Sequence, residues 1–216
     1  MQQGDDLAVR ARFDRVAGDW DSNPARVAMA KAVANAIRQA IPLRRDMEAM
    51  DLGAGTGLLT LALLPYVGAM TAVDASSGML NVLAGKLADL KLSNVRTLHV
   101  DITTHSLPAA AFDLVVSSMA LHHIRDVPAA LARLRPCLRD GGWLALADLD
   151  TEDGTFHTDT TGVFHRGFDR PLFRQWLLSS KFTDIKVRDA HRLPRSGPNG
   201  KVREYGIFLA TARAKG

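Results

Sequence analysis

An α/β fold of parallel βαβ units is predicted for this chain from three observations. Short apolar runs of strand length alternate with helical patterns between residues 47 and 150. A glycine-rich stretch, MDLGAGTG at 50–57, joins the first of those strands directly to a helix. Acidic residues end three successive strands, at Asp51, Asp74 and Asp101. Right-handed crossovers between such strands cover both faces of one sheet with helices.

The elements follow in order. Residues 5–18 read as a helix, and a second opens at Pro24 in DSNPARVAMAKAVANAIRQAI. Proline suits a first helical turn and alanine propagates one; Pro42 marks the end. MEAMDL is a buried strand, GLLTLALL a helix opening at the glycines, and AMTAVD a second strand. SSGMLNVLAGKLADL is a helix with Ser76 or Ser77 as its N-cap. VRTLHVD is a third strand, and FDLVVSSM a fourth whose unbroken apolar run suits burial on both faces. VPAALARLRPCLR is a helix ended by DGG, and WLALADLD is a fifth strand. Residues 151–169 break the rhythm: they are polar, with Phe156, His157, Phe164, His165 and Phe168 interspersed, and a loop of that length inside a domain is often functional. RPLFRQWLLSSKF is an amphipathic helix with Leu172, Phe173, Trp176 and Leu177 on one face. TDIKVRDA and REYGIFLATAR are final strands, and the turn-rich LPRSGPNGK between them suits an antiparallel pair.

Composition sets the bounds. The 216 residues suit one domain, and 47% hydrophobic residues support a substantial core. No apolar stretch approaches the roughly 20 residues of a membrane helix, and MQQGDDLAVR lacks the pattern of a secretory signal. The single cysteine, Cys137, excludes an internal disulfide and fits a reducing compartment, so a cytoplasmic location is expected. The net charge of +4 is mild. The late basic residues Arg188, Arg192, Arg195, Lys201 and Arg203 are expected on a solvated hairpin rather than a nucleic-acid track.

The glycine stretch decides the ligand. Open α/β sheets bind ligands beyond the carboxyl ends of their strands, where 51–57 lies. A dinucleotide fingerprint needs G-x-G-x-x-G for a pyrophosphate at the helix N-terminus; this chain has G-x-G-x-G at Gly53, Gly55 and Gly57. Asp51 would repel a phosphate and suits an ammonium group. Asp74 ends the second strand, where a carboxylate accepts hydrogen bonds from both ribose hydroxyls. Asp101 ends the third, placed to accept from an adenine amino group. The inferred ligand is an adenosine with a cationic appendage and no phosphate, which argues against a nicotinamide cofactor.

These residues, with FDRVAGDWD, MDLGAGTGLLTL, AVDASSGML, VDITTHSLP, FDLVVSSMALHHI and LRPCLRDGGWLAL, give a chain that resembles the class I S-adenosylmethionine-dependent methyltransferases, in particular the small-molecule branch of the ubiquinone/menaquinone-biosynthesis type. The resemblance implies a Rossmann-like three-layer α/β/α sandwich with a seven-stranded, mostly parallel sheet whose last strand is antiparallel. It implies a single domain over 1–216: N-terminal lid helices at 1–42, a cofactor-binding core at 47–150, and an acceptor-side loop, helix and strand pair at 151–216. It implies S-adenosylmethionine as cofactor and S-adenosylhomocysteine as product. Gly53 and Gly55 would line the methionine part, with Asp51 near its amino group. Asp74 would bind the ribose, Ser76 and Met79 would flank the adenine, and Asp101 with Ile102 would read its edge. Ser117 and Met119 would lie along the reacting end, and Trp20 would close over the cofactor.

Methyl transfer from a sulfonium is an in-line displacement that needs alignment more than a base. Should the acceptor have to lose a proton first, His123, His165 and Asp148 are the candidate catalytic residues, with His122 beside them. His157 and His165 with Phe156, Phe164 and Phe168 would build an aromatic acceptor pocket. No fixed ligand spacing points to a metal site. A small-molecule acceptor and a monomer or homodimer are expected. Two rival readings stay open: a nucleic-acid methyltransferase, disfavoured by SSMA after the fourth strand, and a non-catalytic protein that retains the cofactor site.

Overall fold

The computed structural model describes residues 2–196 and 202–215. The chain opens with α1 (Gln2–Val16), a 3-10 turn (Ala17–Ser22) and α2 (Pro24–Ala40). The alternating core follows as β1 (Glu48–Leu52), α3 (Leu58–Leu63), β2 (Ala69–Asp74), α4 (Ser77–Asp89), β3 (Val95–His99), β4 (Phe112–Ser118), α5 (Val127–Leu134) and β5 (Leu138–Leu149). It closes with α6 (Arg170–Ser179), β6 (Phe182–Ser196) and β7 (Val202–Ala214).

The strands form one seven-stranded sheet in the order β3-β2-β1-β4-β5-β7-β6. β1 pairs in parallel with both β2 and β4, setting Asp51 opposite Ala72 and Val116. β7 alone runs against its neighbours, pairing antiparallel with β5 and β6. The chain order reverses between β1 and β4, so the carboxyl ends of those strands flank the switch-point crevice.

Both faces of the sheet are buried, as the unbroken apolar strands require. On one face Ala49, Met70, Leu114 and Val116 pack against Ile37 of α2 and Leu59 and Leu63 of α3. Ala72, on the same side of β2 as Met70, meets Leu80 and Leu83 of α4. On the other face Met50, Val115, Leu146 and Phe208 pack with Leu131 of α5 and Phe173 and Leu177 of α6. Capping agrees with the sequence: Ser76 is the N-cap of α4, its hydroxyl accepting from the Met79 N–H at 3.1 Å.

Three expectations are corrected. Gly141 and Gly142 lie inside β5; the break after α5 is made by a 3-10 turn at Arg135–Cys137 that contains Pro136. The residues this adds to the strand are absorbed by a register irregularity against Phe112 and Leu114. Leu172 points outward, 43% exposed, while Phe173 and Leu177 of α6 fill the core. β6 runs on to Ser196, well beyond the predicted strand, because β7 pairs with it along nearly its whole length. Lys201 of the basic cluster lies outside the described residues. Among the described residues, no helix is long and apolar enough to cross a membrane.

Candidate functional site

A cavity of about 610 Å³ opens at the carboxyl ends of β1, β2 and β4. Its floor is the glycine turn. Gly55 is in the left-handed region, at φ +56°, and a Cβ added there would meet nothing nearer than the Met79 sulfur at 4.0 Å. The missing side chain therefore leaves room on the cavity side. Gly57, at φ +84°, is packed so closely that a Cβ would strike Leu83. The turn is thus held against α4 on one side and left open on the other.

The three strand-end carboxylates sit around this floor. Asp51 is 1% exposed and accepts from the Thr60 hydroxyl at 2.6 Å. Burial, helped by the neighbouring Asp74, pushes its carboxyl up to about 7 against that hydrogen bond. Asp74 accepts from the backbone N–H of Gly55 and of Ser76, both at 2.8 Å. Burial outweighs these bonds and raises its carboxyl above the usual range. Asp101 accepts from the Thr103 N–H at 2.8 Å and hydroxyl at 2.6 Å, and pairs with Arg10 at 2.5 Å. Burial would raise Asp101, but Thr103 and Arg10 together hold it below the usual carboxylate range.

α1 lies across the mouth. Besides Arg10, its Asp14 accepts from the Ser76 hydroxyl at 2.6 Å and the Gly78 N–H at 2.7 Å. Arg12 pairs with Asp159 at 2.9 Å and donates to the Thr161 carbonyl at 2.8 Å, tying α1 to the 151–169 loop. Phe13 sits edge-on to Trp20 and to His123, with ring centroids 5.7 and 5.0 Å apart. None of these α1 contacts was foreseen. α1 carries no apolar stripe to signal burial, and its polar side chains find their partners only through tertiary structure.

Of the predicted residues, Trp20, Asp51, Gly53, Gly55, Asp74, Ser76, Met79, Asp101, Ile102, Met119 and His123 border the cavity. Three do not. Ser117 is fully buried, its hydroxyl donating to the Leu52 carbonyl at 2.8 Å, and its neighbour Ser118 borders the cavity instead. One residue of strand shifts a side chain to the opposite face. Asp148 is also fully buried; it accepts from the His122 ring at 2.7 Å and from the Leu121 and Leu149 backbone N–H groups. Its carboxyl is held low because His122 and these N–H donors outweigh the burial that would raise it. His165 turns its Nε2 to the Ile124 and Arg125 carbonyls, at 3.0 and 3.1 Å, and fastens the loop to the segment after β4. The expected aromatic pocket is likewise only partly formed. Phe164 reaches the cavity, whereas Phe156 packs on Tyr205 and Phe168 on Phe173 and Phe208.

His123 is a poor base. Its Nδ1 lies 2.7 Å from the Gly162 carbonyl, and burial, reinforced by neighbouring His122, drives its pKa down to about 3. At neutral pH it is an uncharged ring with Nδ1 as donor and Nε2 as acceptor.

Comparison with known proteins agrees with this geometry. A family described as a methyltransferase domain matches residues 50–146. An uncharacterized methyltransferase of Mycobacterium tuberculosis is 40% identical over 151 residues, covering 69% of this chain and 68% of that protein. The chain belongs to the class I S-adenosylmethionine-dependent methyltransferases. This methyltransferase is also 33% identical to the demethylmenaquinone methyltransferase of Staphylococcus aureus over 142 residues, 64% of this chain and 58% of that one. Among solved structures, a phosphoethanolamine N-methyltransferase of Haemonchus contortus in complex with S-adenosyl-L-methionine superposes with a TM-score of 0.71. The match covers 94% of this chain and 60% of that one at 14% identity, and shows a shared fold. The cavity offers features that such a cofactor could use: its floor opens at Gly55, and the buried Asp51 carboxyl borders it.

Proposed function

We propose that this methyltransferase acts on a small, largely apolar acceptor, and that the carboxylate side of the cavity holds the cofactor while the opposite side holds the acceptor. The observation that carries the reading is the division of the cavity wall. Asp51, Asp74 and Asp101 stand at or just beyond the ends of the adjoining strands β1, β2 and β3, whereas Phe13, Trp20, Met29, Met119, His123 and Phe164 border the cavity from other elements, with Arg26 over the Trp20 ring and Arg125 over the Phe164 ring. A volume of about 610 Å³ falls in the range of small-molecule pockets.

On this reading Asp51 takes the amino group, Asp74 the ribose hydroxyls and Asp101 the adenine edge, beside Ile102, Ser76 and Met79. A carboxylate has about four lone-pair sites. Asp74 uses two on Gly55 and Ser76 and retains capacity for a diol; Asp101 uses three on Thr103 and Arg10 and retains one. The helices over 1–42 act as a lid on a 47–150 core, and 151–216 supplies the acceptor side. The bound cofactor supplies an electrophilic methyl group; the chain's residues align the acceptor and exclude water. His123 orients an acceptor hydroxyl or amine through Nε2 rather than removing its proton.

Nucleic acid is disfavoured as acceptor by the fate of the late basic residues. Arg188 donates to the Ala36 carbonyl and Arg195 to the Phe156 carbonyl, so these two turn inward, and Arg203 is paired at the surface with Asp153. The test is incubation with methyl-labelled S-adenosylmethionine and, separately, a panel of phenols, quinols and amines, or total RNA and DNA. Label in the small-molecule extract is expected. Label in nucleic acid alone overturns the reading.

A further inference from the structure

Three histidines converge beside the cavity. His122 and His123 are consecutive in the 3-10 turn after β4, and His157 comes from the 151–169 loop. Their ring centroids are 4.1 Å apart for His122 and His123, 4.9 Å for His122 and His157, and 6.0 Å for His123 and His157. One ring nitrogen from each lies within 4.8 Å of one from each of the others.

The second set of contacts fixes which nitrogens are available. His122 Nδ1 faces the buried carboxylate of Asp148 at 2.7 Å, so Nδ1 carries a proton and Nε2 is the nitrogen left for an ion. His123 Nδ1 faces the Gly162 carbonyl at 2.7 Å; a carbonyl only accepts, so here too Nε2 carries the lone pair. His157 Nδ1 is buried and has no hydrogen-bond partner among the described residues. A buried polar nitrogen left unmatched costs free energy, so natural proteins seldom leave one without a use. A carboxylate or carbonyl behind one imidazole nitrogen, as at His122 and His123, is the support that orients histidine ligands on a metal.

We propose that His122, His123 and His157 form a binding site for one divalent transition-metal ion of the zinc class. Three imidazoles suit zinc, cobalt, nickel or copper, whereas magnesium and calcium demand oxygen donors. Three protein ligands leave a fourth coordination position, and one of the three, His123, borders the cavity. Nitrogens on a tetrahedral ion with bonds of about 2.0–2.1 Å stand about 3.3 Å apart. The widest pair here must draw in to reach that spacing. Residue spacing alone gave no hint of the site, because 122–123 and 157 belong to separate segments that only the fold unites.

The proposal gives the His123 Nε2 lone pair to the ion and so replaces, at that atom alone, the acceptor hydrogen bond proposed above; the cofactor placement and the acceptor class do not depend on it. Chelator-treated protein is titrated with Co²⁺ while visible ligand-field absorption is recorded, and Zn²⁺ is then added in competition. One equivalent of Co²⁺ per chain, displaced by Zn²⁺ and indifferent to excess Mg²⁺, is expected. His157→Ala should weaken Co²⁺ binding at least tenfold, while replacement of the exposed His105 by alanine leaves it unchanged. Absence of stoichiometric uptake, or equal uptake by His157→Ala, overturns the proposal. If His157→Ala does not fold, zinc-edge X-ray absorption on the wild-type protein decides: three imidazole neighbours support the site, and fewer than three overturn it.

Discussion

Asp51 shows how much chemistry rests on one side chain. A carboxyl sealed from water is costly to ionise, and its free-protein pKa of about 7 reflects that burial first and the proximity of Asp74 third, with Thr60 pulling the other way. The sign follows directly. The group is protonated more readily folded than unfolded, so its ionisation removes stability as pH rises from about 4 through about 7. A ligand ammonium pairs only with the ionised form. Affinity for S-adenosylhomocysteine should therefore fall as pH drops below 7, by up to about tenfold per unit, and hold steady above it until the ligand amine loses its own proton near pH 8. Calorimetry from pH 5 to 8 measures this, and Asp51→Asn should flatten the acid limb; a flat wild-type profile would remove Asp51 from the ammonium site. Gly57 makes a purely structural demand. Alanine there meets both the positive φ and Leu83, and should cost about 1–3 kcal/mol in urea unfolding. Unchanged stability would mean that α4 shifts freely.

At the scale of elements, the sheet and the helices on its faces were legible, and the contacts that hold α1 and the 151–169 loop beside the cavity were not. Strands β1 to β5 announce themselves by apolar runs that end in acidic or small polar residues, and the glycines mark where β1 gives way to α3. The resemblance placed Ser117 along the cavity, and a shift of one residue along the strand puts Ser118 there instead. His165 and Asp148 were chosen by residue type; the fold spends the first on loop carbonyls and the second on His122. The 151–169 loop has no period to read, so which of its rings face the cavity depends wholly on tertiary contacts. α1 is the clearest case: it is held by Arg10, Asp14 and the Arg12–Asp159 pair rather than by a hydrophobic face. Individual partly exposed pairs contribute about 0.2–1 kcal/mol each. The double variant Arg10→Ala/Asp14→Ala should therefore leave global unfolding nearly unchanged, speed amide exchange over residues 2–16, and raise the dissociation rate of S-adenosylhomocysteine about five- to thirtyfold. Unaltered exchange and dissociation would show that α1 is no lid.

For the whole molecule, the cavity joins two bodies that differ in how they are held. Below it is a sheet with both faces filled by apolar side chains; above it are α1 and a loop fastened by polar contacts and a few rings. A ligand that touches both must stabilise the entire fold through linkage. At a free concentration of 100 times its dissociation constant, S-adenosylhomocysteine should add about 2.7 kcal/mol. For a chain of this size each kcal/mol moves the melting temperature by about 2–4 °C, so calorimetric scans should show a rise of about 5–11 °C. NAD at the same molar concentration should produce none, since no backbone fingerprint for its pyrophosphate exists in the glycine turn. Phe173→Ala, which empties a fully buried position beneath α6 and away from the cavity, should lower the baseline by about 3–5 kcal/mol. It should leave the ligand-induced increment intact, because the sheet ends that form the floor do not depend on that ring. Loss of the increment along with the baseline would mean instead that the platform and the site are one cooperative unit, with α6 packing transmitted through β5 to the cavity.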